Sequence, residues 1–490
     1  MAIRVLLVNP NQMQPPIAPV GLDYLGDALA DRKFEVRLLD LCFHPKVTQP
    51  IIDALHDFRP HVIGVSVRNT DDCYYAGRDF VLPRIKHVLQ TIREKSSAPV
   101  VLGGVGFSIA PKETLEFLDG DFGIEGEGEE AYCELVEGIA RGGDPIGIPG
   151  LLFRRKGQTI HTVPKFSQVD SFPAHTRRFV DNARYFKEGG QIGFETKRGC
   201  TMACIYCADP VAKGRQIRMR SPGKVVDELK ALLDQGVDHF HTCDSEFNVP
   251  EDHGVAVCEA ITAAGLAGRI RWYAYCAPTP FSHELAGAMK EAGCAGVDFG
   301  ADSGDDEMLA NLKRHFKSDD LRRTARVCRE YEIPFMYDLL IGGPGETFMS
   351  VKHTINLMKE IGPDCVGTAI GVRVYSGTRI AEMVRNEGPI ETNPALHGVK
   401  EDNPGFIKPL FYISPAVGSG VEGYVEQLIG GDPRFFLVTP EQSERNYNYN
   451  DNTILVNAIK HGYRGAYWDI LRRLRLEGRL EEMAAAVEGE

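Results

Sequence analysis

The chain has 490 residues, of which 43% are hydrophobic and 25% are charged, and its net charge at pH 7 is −13. This length exceeds one ordinary domain, and the composition excludes the disordered and fibrous classes. The acidic balance argues against a nucleic-acid partner, and no apolar run reaches the roughly 20 residues that span a bilayer.

The first segment, MAIRVLLVNPNQ, predicts a β-strand rather than a signal peptide, because neither a charged leader nor a cleavage site accompanies its apolar run. Strand and helix patterns then alternate through residues 1–140. Strands are predicted at 3–9, 35–41, 61–67 and 99–104, and helices at 21–32, 78–95 and 129–143. This alternation predicts an α/β fold with a doubly wound, Rossmann-like parallel sheet, which binds its ligand beyond the carboxyl ends of the strands.

Residues 141–190 predict a small hairpin around Lys156-Gly157 followed by an inter-domain linker. From 191 to 395 the alternation resumes with six strand–helix units, which predict a partial (β/α)6 barrel. Its active site is expected at the carboxyl ends of the strands. Residues 396–490 predict a small, mostly helical C-terminal region that caps the barrel mouth.

The third barrel strand carries the aromatic run WYAYC. Alternation places Tyr273 and Tyr275 on one face and Trp272 and Ala274 on the other, but it does not say which face points inward. A core role and a substrate-binding role for these rings both stay open.

Three cysteines lie within eight residues just after the first barrel strand, in the segment CTMACIYC: Cys200, Cys204 and Cys207. Separate core thiols, a structural zinc site and a thioredoxin-like pair are weaker interpretations. Zinc requires four ligands, usually as two cysteine pairs, and a redox pair has no use for a third cysteine. An iron–sulfur cluster with three cysteine ligands is favoured. On a four-iron cluster this leaves one iron open to a chelating substrate, so we expect no fourth protein ligand.

The stretch RGCTMACIYC resembles the CxxxCxxC loop of the radical S-adenosylmethionine (SAM) superfamily. Further resemblances follow in order at the strand ends: TCDSEFNVP, GVDFGADSG, LLIGGPGET and VRVYSGTRI. Asp302 stands where the family usually has Glu, and Ser376 where it often has Pro. The resemblance implies a [4Fe-4S] cluster held by the three cysteines. It also implies SAM contacts from these segments: Tyr206, Asp244, Ser245, Glu246, Asp302, Ser303, Gly342, Gly343 and Arg373.

The first domain resembles the cobalamin (B12)-binding domain that some superfamily members carry before the barrel. The matching stretches are PPIAPVGLDYLGDAL, VIGVSVRN, VVLGGVGFS and GIEGEGEEAY. The resemblance implies cobalamin contacts at the strand ends: Pro16, Ser66, Arg68, Asn69, Gly103, Gly104, Gly126 and Glu127. The Asp-x-His-x-x-Gly loop that ligates cobalt in many such proteins is missing, so no histidine is expected below the cobalt; Arg68 and Asn69 are the candidates to face it. A dinucleotide site lacks its glycine-rich first turn, and a relic domain without cofactor is the other alternative.

The resemblance therefore implies a cobalamin-dependent radical SAM enzyme, foremost a methyltransferase acting on an unactivated carbon, or on phosphorus, of a small-molecule or peptide substrate. Its reaction would pass through a 5′-deoxyadenosyl radical and methylcobalamin, with electrons from a donor such as flavodoxin or ferredoxin. The alternatives are a non-methylating rearrangement or cyclisation, and a radical SAM enzyme whose Rossmann-like domain holds no cofactor. An RNA-modifying methylthiotransferase is disfavoured because Cys42, Cys73 and Cys133 are too widely spaced for a second cluster. A cluster-bearing sensor would not explain the SAM-type segments. The scattered single cysteines predict a reducing, cytoplasmic compartment.

Overall fold

The computed structural model describes residues 3–403, 405–437 and 452–485. Its first domain is a sheet of five parallel strands in the order β2-β1-β3-β4-β5, which is a doubly wound topology. The strands of this sheet, including an antiparallel hairpin at its edge, are β1 Arg4–Asn9, β2 Glu35–Asp40, β3 Val62–Ser66, β4 Val100–Gly103, β5 Phe122–Ile124, β6 Leu151–Arg155 and β7 Gln158–His161. The helices that cover it are α1 Val20–Asp31, α2 Thr48–Phe58, α3 Leu82–Lys95, α4 Val105–Ile109, α5 Pro111–Leu118 and α6 Glu129–Arg141.

The hairpin turns at Lys156-Gly157, where both residues have positive φ, 50° and 78°. This is the geometry that a two-residue β-turn requires. Strand β6 pairs antiparallel with β5, so the hairpin extends the first sheet instead of standing apart from it. Helix α2 and strand β5 were not among the predicted elements. The buried Ile51, Leu55 and Phe58 of α2 do recur at helical spacing, whereas β5 is only three residues long and too short to show a period.

The second domain is a partial barrel of parallel strands in the order β8-β11-β12-β13-β14-β15, followed by a seventh strand, β19. These strands are β8 Ile192–Phe194, β11 His239–Thr242, β12 Arg271–Cys276, β13 Cys294–Asp302, β14 Phe335–Ile341, β15 Cys365–Ile370 and β19 Phe435–Leu437. Two small antiparallel sheets accompany them, formed by β9 Lys197–Arg198, β10 Arg218–Met219, β16 Val372–Arg373, β17 Leu396–Gly398 and β18 Leu410–Tyr412. The helices are α7 Asn182–Gly189, α8 Asp209–Lys213, α9 Pro222–Leu233, α10 Glu251–Ala263, α11 His283–Glu291, α12 Asp306–Asn311, α13 Ser318–Glu330, α14 Phe348–Ile361, α15 Arg379–Glu387, α16 Val421–Ile429, α17 Thr453–Lys460, α18 Tyr467–Leu476 and α19 Leu480–Ala485.

The structure decides the two faces of β12. Trp272 is fully buried against the surrounding helices, where its indole Nε1 donates to the Ala292 carbonyl at 3.0 Å. Tyr273 and Tyr275 therefore point into the barrel. Tyr273 lies at the closed end, whereas 43% of Tyr275 is exposed.

Helices α17 to α19 close the barrel at the amino-terminal end of its strands. Met336 and Cys365, near the starts of β14 and β15, pack with Trp468 of α18, and the Tyr273 hydroxyl donates to Asp469 at 2.8 Å. The expectation that the C-terminal helices cap the mouth is thus wrong for these helices, because their apolar faces pack beneath the strands. The Tyr- and Asn-rich stretch 446–451 lies outside the described residues. Within the part of the chain that is described, no helix has the length and apolarity to cross a bilayer.

Buried charges join the two domains. The fully buried Arg177, in the segment between them, donates to Asp23 of α1 at 2.9 Å and to Glu228 of α9 at 2.7 Å. Tyr24 and Arg220 donate to the same Glu228 carboxylate at 2.7 and 2.5 Å. A second junction pairs Asp71, after β3, with Arg373 of β16 at 2.6 Å. The carboxyl ends of the first sheet are thereby held against the barrel.

Candidate active site

The cysteine loop joins β8 to α8 at the barrel mouth. The Cys200, Cys204 and Cys207 thiols lie close enough together that the charges of Cys200 and Cys204 raise the pKa of Cys207. Burial raises the pKa of the Cys200 thiol to about 11 and that of Cys204 and Cys207 also. No three His, Cys, Asp or Glu side chains among the described residues converge tightly enough for a single metal ion. Three sulfur donors on one buried loop fit an iron–sulfur cluster, which spreads its ligands around several irons.

Arg314, which follows α12, is the residue at this loop that sequence reasoning missed. Its Nη1 donates to Cys204 Sγ at 2.9 Å, and its Nη2 donates to the Gly300 carbonyl at 2.6 Å. Its Nε lies 3.3 Å from Asp302 Oδ2, the atom to which the Tyr206 hydroxyl donates at 2.6 Å. A cation is thus fixed beside Cys204, one of the three predicted cluster ligands. The basic residue after GVDFGADSGDDEMLANLK was its sequence signal, but only the fold brings it to Cys204.

We predict that Arg314→Gln makes the cluster harder to reduce. Its cationic hydrogen bond to Cys204 stabilises the more negative, reduced cluster, and such a bond contributes about 1.5 kcal/mol or more, on the order of 60 mV for one electron. The measurement is an EPR-monitored potentiometric titration of the reconstituted protein. Arg314→Lys keeps the charge and should recover part of the shift. Equal midpoint potentials in Arg314→Gln and the parent protein would contradict the prediction.

The segment at the end of β11 divides into two parts. Asp244 is buried, and the start of the cysteine-loop segment uses its hydrogen-bonding capacity. Its oxygens accept from the Thr196 amide at 2.8 Å, the Thr196 hydroxyl at 2.5 Å and the Lys197 amide at 3.2 Å. Ser245 donates to Asp209 at 2.5 Å. Glu246 lies close enough to Cys200 and Cys204 for its charge to raise the pKa of both thiols, and burial raises the pKa of its own carboxyl to about 7. If a side chain supplied a fourth protein ligand to the cluster, Glu246 would be the candidate, so this residue tests the expectation that there is no fourth ligand.

The remaining residues predicted to contact SAM lie in different parts of the structure, and Arg373 is not at the cysteine loop. Ser303 bonds the Thr354 hydroxyl at 2.9 Å and accepts from the Asp305 amide at 3.1 Å, so it fixes the turn after β13. Gly342 has a φ of +102°, which favours glycine, and Gly343 follows it at the mouth end of β14. Arg373 is brought to Asp71 and to backbone carbonyls at the domain junction instead of to the cysteine loop.

A cavity of about 180 Å³ lies at the carboxyl ends of the first sheet. Five of the residues predicted for cobalamin line it: Ser66, Gly103, Gly104, Gly126 and Glu127. Ser108 also lines it and was missed; its hydroxyl accepts from the Gly126 amide at 2.9 Å and donates to the Gly104 carbonyl at 3.0 Å. Gly104 has a φ of +103°, and a Cβ there would lie 2.7 Å from the Val67 carbonyl oxygen. Only glycine allows these two loops to approach so closely.

Two observations test whether the cavity fits cobalamin. A Cβ on Gly64 would intrude to 2.5 Å from the Tyr132 hydroxyl, so the missing side chain keeps the cavity open. The buried Tyr132 hydroxyl lines this cavity and has no hydrogen-bond partner among the described residues. A mostly apolar cleft with an unpartnered buried hydroxyl suits the nucleotide tail of cobalamin. Pro16, Arg68 and Asn69 lie outside the cavity lining; Arg68 Nη1 lies 3.9 Å from Met13 Sδ.

We predict opposite effects of Tyr132→Phe on stability and on cofactor binding. Removing an unpaired buried hydroxyl should leave the free energy of unfolding of the cobalamin-free protein unchanged or raise it by up to about 1 kcal/mol. Cobalamin affinity should fall about fivefold to tenfold, the value of one hydrogen bond. Urea unfolding and corrin absorbance titrations measure the two effects. Tyr24→Phe is the matched control: it loses a bond to Glu228 and should lower stability but not affinity.

The cavity extends to the second domain. Glu195, Arg198 and Lys213, which flank the cysteine loop, form its far wall. Arg198 lies 2.8 Å from Glu129 of α6, and Arg218 donates to Glu127. Burial raises the pKa of the Glu127 carboxyl against the opposing effect of Arg198 and Arg218. The cavity of the first sheet and the cysteine loop are therefore neighbours across one buried, charged wall.

Comparison with known proteins covers the whole chain. A B12 binding domain model matches residues 11–136, and a Radical SAM superfamily model matches residues 194–358. Tryptophan 2-C-methyltransferase of Streptomyces laurentii is 31% identical, with 95% of each chain covered. The radical SAM methyltransferase TsrM of Kitasatospora setae, solved with tryptophan and a SAM analogue bound, superposes with a TM-score of 0.92 at 32% identity over 99% of each chain. A second TsrM structure, with cobalamin and a [4Fe-4S] cluster, gives 0.90 at 29% identity.

Proposed function

The chain belongs to the cobalamin-dependent radical SAM methyltransferases, and from this membership we propose that it methylates a ring carbon of tryptophan or of a small molecule with an indole ring. The main observation in support of this proposal is the similarity to tryptophan 2-C-methyltransferase, which covers 95% of the chain at 31% identity. The structural similarity to TsrM solved with tryptophan, at 32% identity over 99% of the chain, supports it.

The barrel interior has the chemistry for an aromatic substrate. Tyr275 points into it with 43% of its surface exposed, and the His241 ring lies 4.7 Å from the Tyr275 ring. Burial lowers the pKa of His241 to about 4, so its ring is neutral at neutral pH. Two flat, uncharged rings offer an indole stacking surfaces that also exclude water.

The enzyme uses a [4Fe-4S] cluster, SAM and cobalamin. When bound, SAM is the source of the methyl group, cobalamin carries it and the cluster supplies single electrons. We propose that Cys200, Cys204 and Cys207 hold the cluster, and that a flavodoxin or ferredoxin reduces it. The proposed domain bounds are 1–140, 141–190, 191–395 and 396–490, with two strand segments crossing them: the β6–β7 hairpin belongs to the first sheet, and β19 belongs to the barrel sheet.

Some residues at the barrel mouth are proposed to bind SAM, and others to hold the neighbouring turns and loops in position. For direct contact with SAM we propose Glu246, which lies near Cys200 and Cys204, together with Gly342 and Gly343, which directly follow β14. Tyr206, Asp302 and Ser303 hold the turn after β13 in place, and Asp244 and Ser245 fasten the cysteine loop to neighbouring segments. Arg373 fixes the domain junction through Asp71.

For cobalamin we propose the residues that line the cavity of the first sheet, listed above, with Ser108 and Tyr132 added. Pro16 stays a proposed cobalamin contact, and Arg68 and Asn69 stay the residues proposed to face the cobalt from below, although all three lie outside the cavity lining. Asn69 lies in the loop after β3, where its side-chain amide donates to the Asp71 carbonyl at 3.5 Å. The same loop therefore leads from the cobalamin site to the Asp71–Arg373 pair.

Reconstituted enzyme, reductant and SAM carrying a deuterated methyl group test the substrate proposal with tryptophan. We expect a tryptophan product heavier by the labelled methyl group and one S-adenosylhomocysteine per product. Separate quantification of 5′-deoxyadenosine tests the radical route. S-adenosylhomocysteine without any labelled indole product would leave the enzyme a methyltransferase and reject tryptophan as its substrate.

A further inference from the structure

The outer face of the cysteine loop is open to solvent. Thr201 and Ala203 are exposed, whereas Cys200 beside them is buried. Consecutive Cα atoms are only about 3.8 Å apart, so the exposed and the buried side of this loop are separated by little more than its own backbone. A cluster held by the three cysteines would therefore lie close beneath the surface that residues 201–203 form.

Three backbone hydrogen bonds fasten the loop to neighbouring segments, and each bond has an exposed cation next to it in the chain. The bonds join the Cys200 amide to the Gly214 carbonyl at 3.1 Å, the Ile205 amide to the Leu312 carbonyl at 3.2 Å, and the Ile380 amide to the Ile205 carbonyl at 3.0 Å. The adjoining exposed cations, which we call the basic rim, are Arg215, Lys313 and Arg379.

The basic rim has no counter-charge in the part of the chain that the structure describes. None of its three side chains forms an ion pair or a hydrogen bond with another described residue. The segments 211–217, 310–317 and 374–381 contain six Lys or Arg residues and no Asp or Glu, although the chain as a whole carries a net charge of −13. Arg379 also begins helix α15, where the helix dipole disfavours a positive charge. Helix stability therefore does not account for it.

The buried cations at the loop differ from the rim because they already have partners. Lys213 Nζ donates to Asp209 at 3.1 Å, and Arg314 donates to Cys204 at 2.9 Å. Arg314 directly follows Lys313, so the rim lies one residue away from a side chain that touches a proposed cluster ligand. Because electron transfer slows steeply with distance, a protein that reduces the cluster gains most by docking at this surface.

We propose that the basic rim is the docking surface for a small acidic electron-transfer protein, which places its redox group against residues 201–203. This rests on the proposed function, in that the three cysteines are taken to hold the cluster. It adds the place where the electron donor binds and the charge that the donor must carry. One electron leaves the reduced redox group of the partner and enters the cluster, and no bond forms or breaks.

Charge complementarity favours this partner. The chain as a whole is acidic, so an acidic protein is repelled by its net charge but attracted at the basic rim. Such steering raises the rate of association and orients the partner. Redox complexes are characteristically small and transient, so a few exposed cations around the loop can direct one.

Calorimetry of the holoenzyme with flavodoxin, an acidic electron-transfer protein, tests the proposal at low ionic strength. The rim variant combines Arg215→Gln, Lys313→Gln and Arg379→Gln. We expect its dissociation constant to rise about tenfold, the combined value of three exposed ion pairs. Added salt should weaken the parent complex more than the complex of the rim variant. Cytochrome c, a basic electron-transfer protein, should not bind.

A matched control removes the same amount of charge elsewhere. Lys33, Arg269 and Arg271 are exposed and lie at the amino-terminal ends of the two sheets, away from the barrel mouth. Lys33 has a φ of 66° and Lys313 a φ of 61°, so glutamine meets the same backbone conformation at both positions. The control variant combines Lys33→Gln, Arg269→Gln and Arg271→Gln, and it should bind flavodoxin as tightly as the parent protein.

Reduction of the cluster supplies a second readout that a damaged fold would not reproduce. Flavodoxin should reduce the rim variant more slowly than the parent protein, as followed by EPR. Photoreduced deazaflavin, a small donor that needs no docking surface, should reduce both proteins to the same extent. The rim variant should also melt at the temperature of the parent protein, because its three substitutions lie on the surface.

Several outcomes would overturn the docking surface: no binding of flavodoxin by the parent protein, equal affinity in the parent protein and the rim variant, or an equal loss in the control variant. Self-association of the enzyme through the rim, or preferential binding of an RNA hairpin there, would assign the surface to another occupant and overturn it as well. Rim-dependent binding and reduction without methylated tryptophan would support the docking surface and reject only the proposed substrate.

Discussion

Alanine at Cys200, Cys204 or Cys207 is expected to abolish SAM cleavage and methyl transfer while leaving cobalamin binding largely intact. Each cysteine supplies one of three thiolates on the buried loop, and two cannot hold the cluster stably. We expect activity to fall by more than about 100-fold, since changes one shell further out from a metal site already cost 10–100-fold. Iron and sulfide analysis and corrin absorbance, both on protein reconstituted with cobalamin, measure the two outcomes.

Cys243→Ala is the matched control, because Cys243 lies at the end of β11, near the same mouth, but outside the CxxxCxxC loop. It should retain iron and corrin binding. A cysteine-loop variant that kept a full iron complement would contradict the assignment of that cysteine as a ligand. Loss of corrin binding in all three variants would show instead that the loop and the first domain unfold together.

Arg177→Met is expected to produce the largest loss of stability. Arg177 is fully buried and neutralises Asp23 and Glu228, so its removal leaves buried carboxylates short of a cation. Breaking such a pair from one side costs about 3–5 kcal/mol. Urea unfolding of the cofactor-free protein measures the change.

The neighbouring Arg178→Met provides the control. Its side chain is 60% exposed and lies 3.9 Å from Asp27, a contact of the kind that contributes at most about 1 kcal/mol. A similar loss in both variants would mean that the Arg177 network does not hold the domains together.

The same network makes the fold sensitive to acid. Burial raises the pKa of Glu228, but Arg220 and Arg177 outweigh it and hold the value at about 2, below the ordinary 4.5. A carboxyl with a lowered folded pKa stabilises the protein above its unfolded pKa, and this stability is lost as pH falls from 4.5 toward 2. Burial also lowers the pKa of His175 to about 3, so protonation favours the unfolded chain below about 6.5. Urea midpoints measured from pH 7 to pH 3 should decline, and a flat profile would contradict this.

Local patterns predicted those parts of the molecule whose role is encoded in contiguous residues. The apolar runs gave most of the parallel strands, and the spacing of Cys200, Cys204 and Cys207 indicated a cluster loop that the structure brings together as neighbouring buried thiols. Glycines in GGVGF indicated the first cavity, which Gly103 and Gly104 do line.

Features that depend on tertiary contacts were beyond these patterns. Arg314 reads as one basic residue among many until α12 turns it back onto Cys204. Trp272 and Tyr275 stand in the same strand, and alternation cannot tell the inner face of a barrel from the outer. Arg373 was expected near SAM, but its partner Asp71 is 302 positions away in the chain, a distance that no local pattern spans.

The wall between the cavity proposed for cobalamin and the cysteine loop has a consequence for how the enzyme is assembled. Glu195, Arg198 and Lys213 face the cavity, and Lys213 also donates to Asp209 and to the Cys243 carbonyl beside the loop. A cofactor that orders this wall from one side lowers the entropic cost of binding on the other, and such coupling is reciprocal. Maturation should then be cooperative: apoprotein supplied with cobalamin is expected to accept iron and sulfide more completely, and cluster-loaded protein to release corrin more slowly, while the cluster-free cysteine variants still bind corrin.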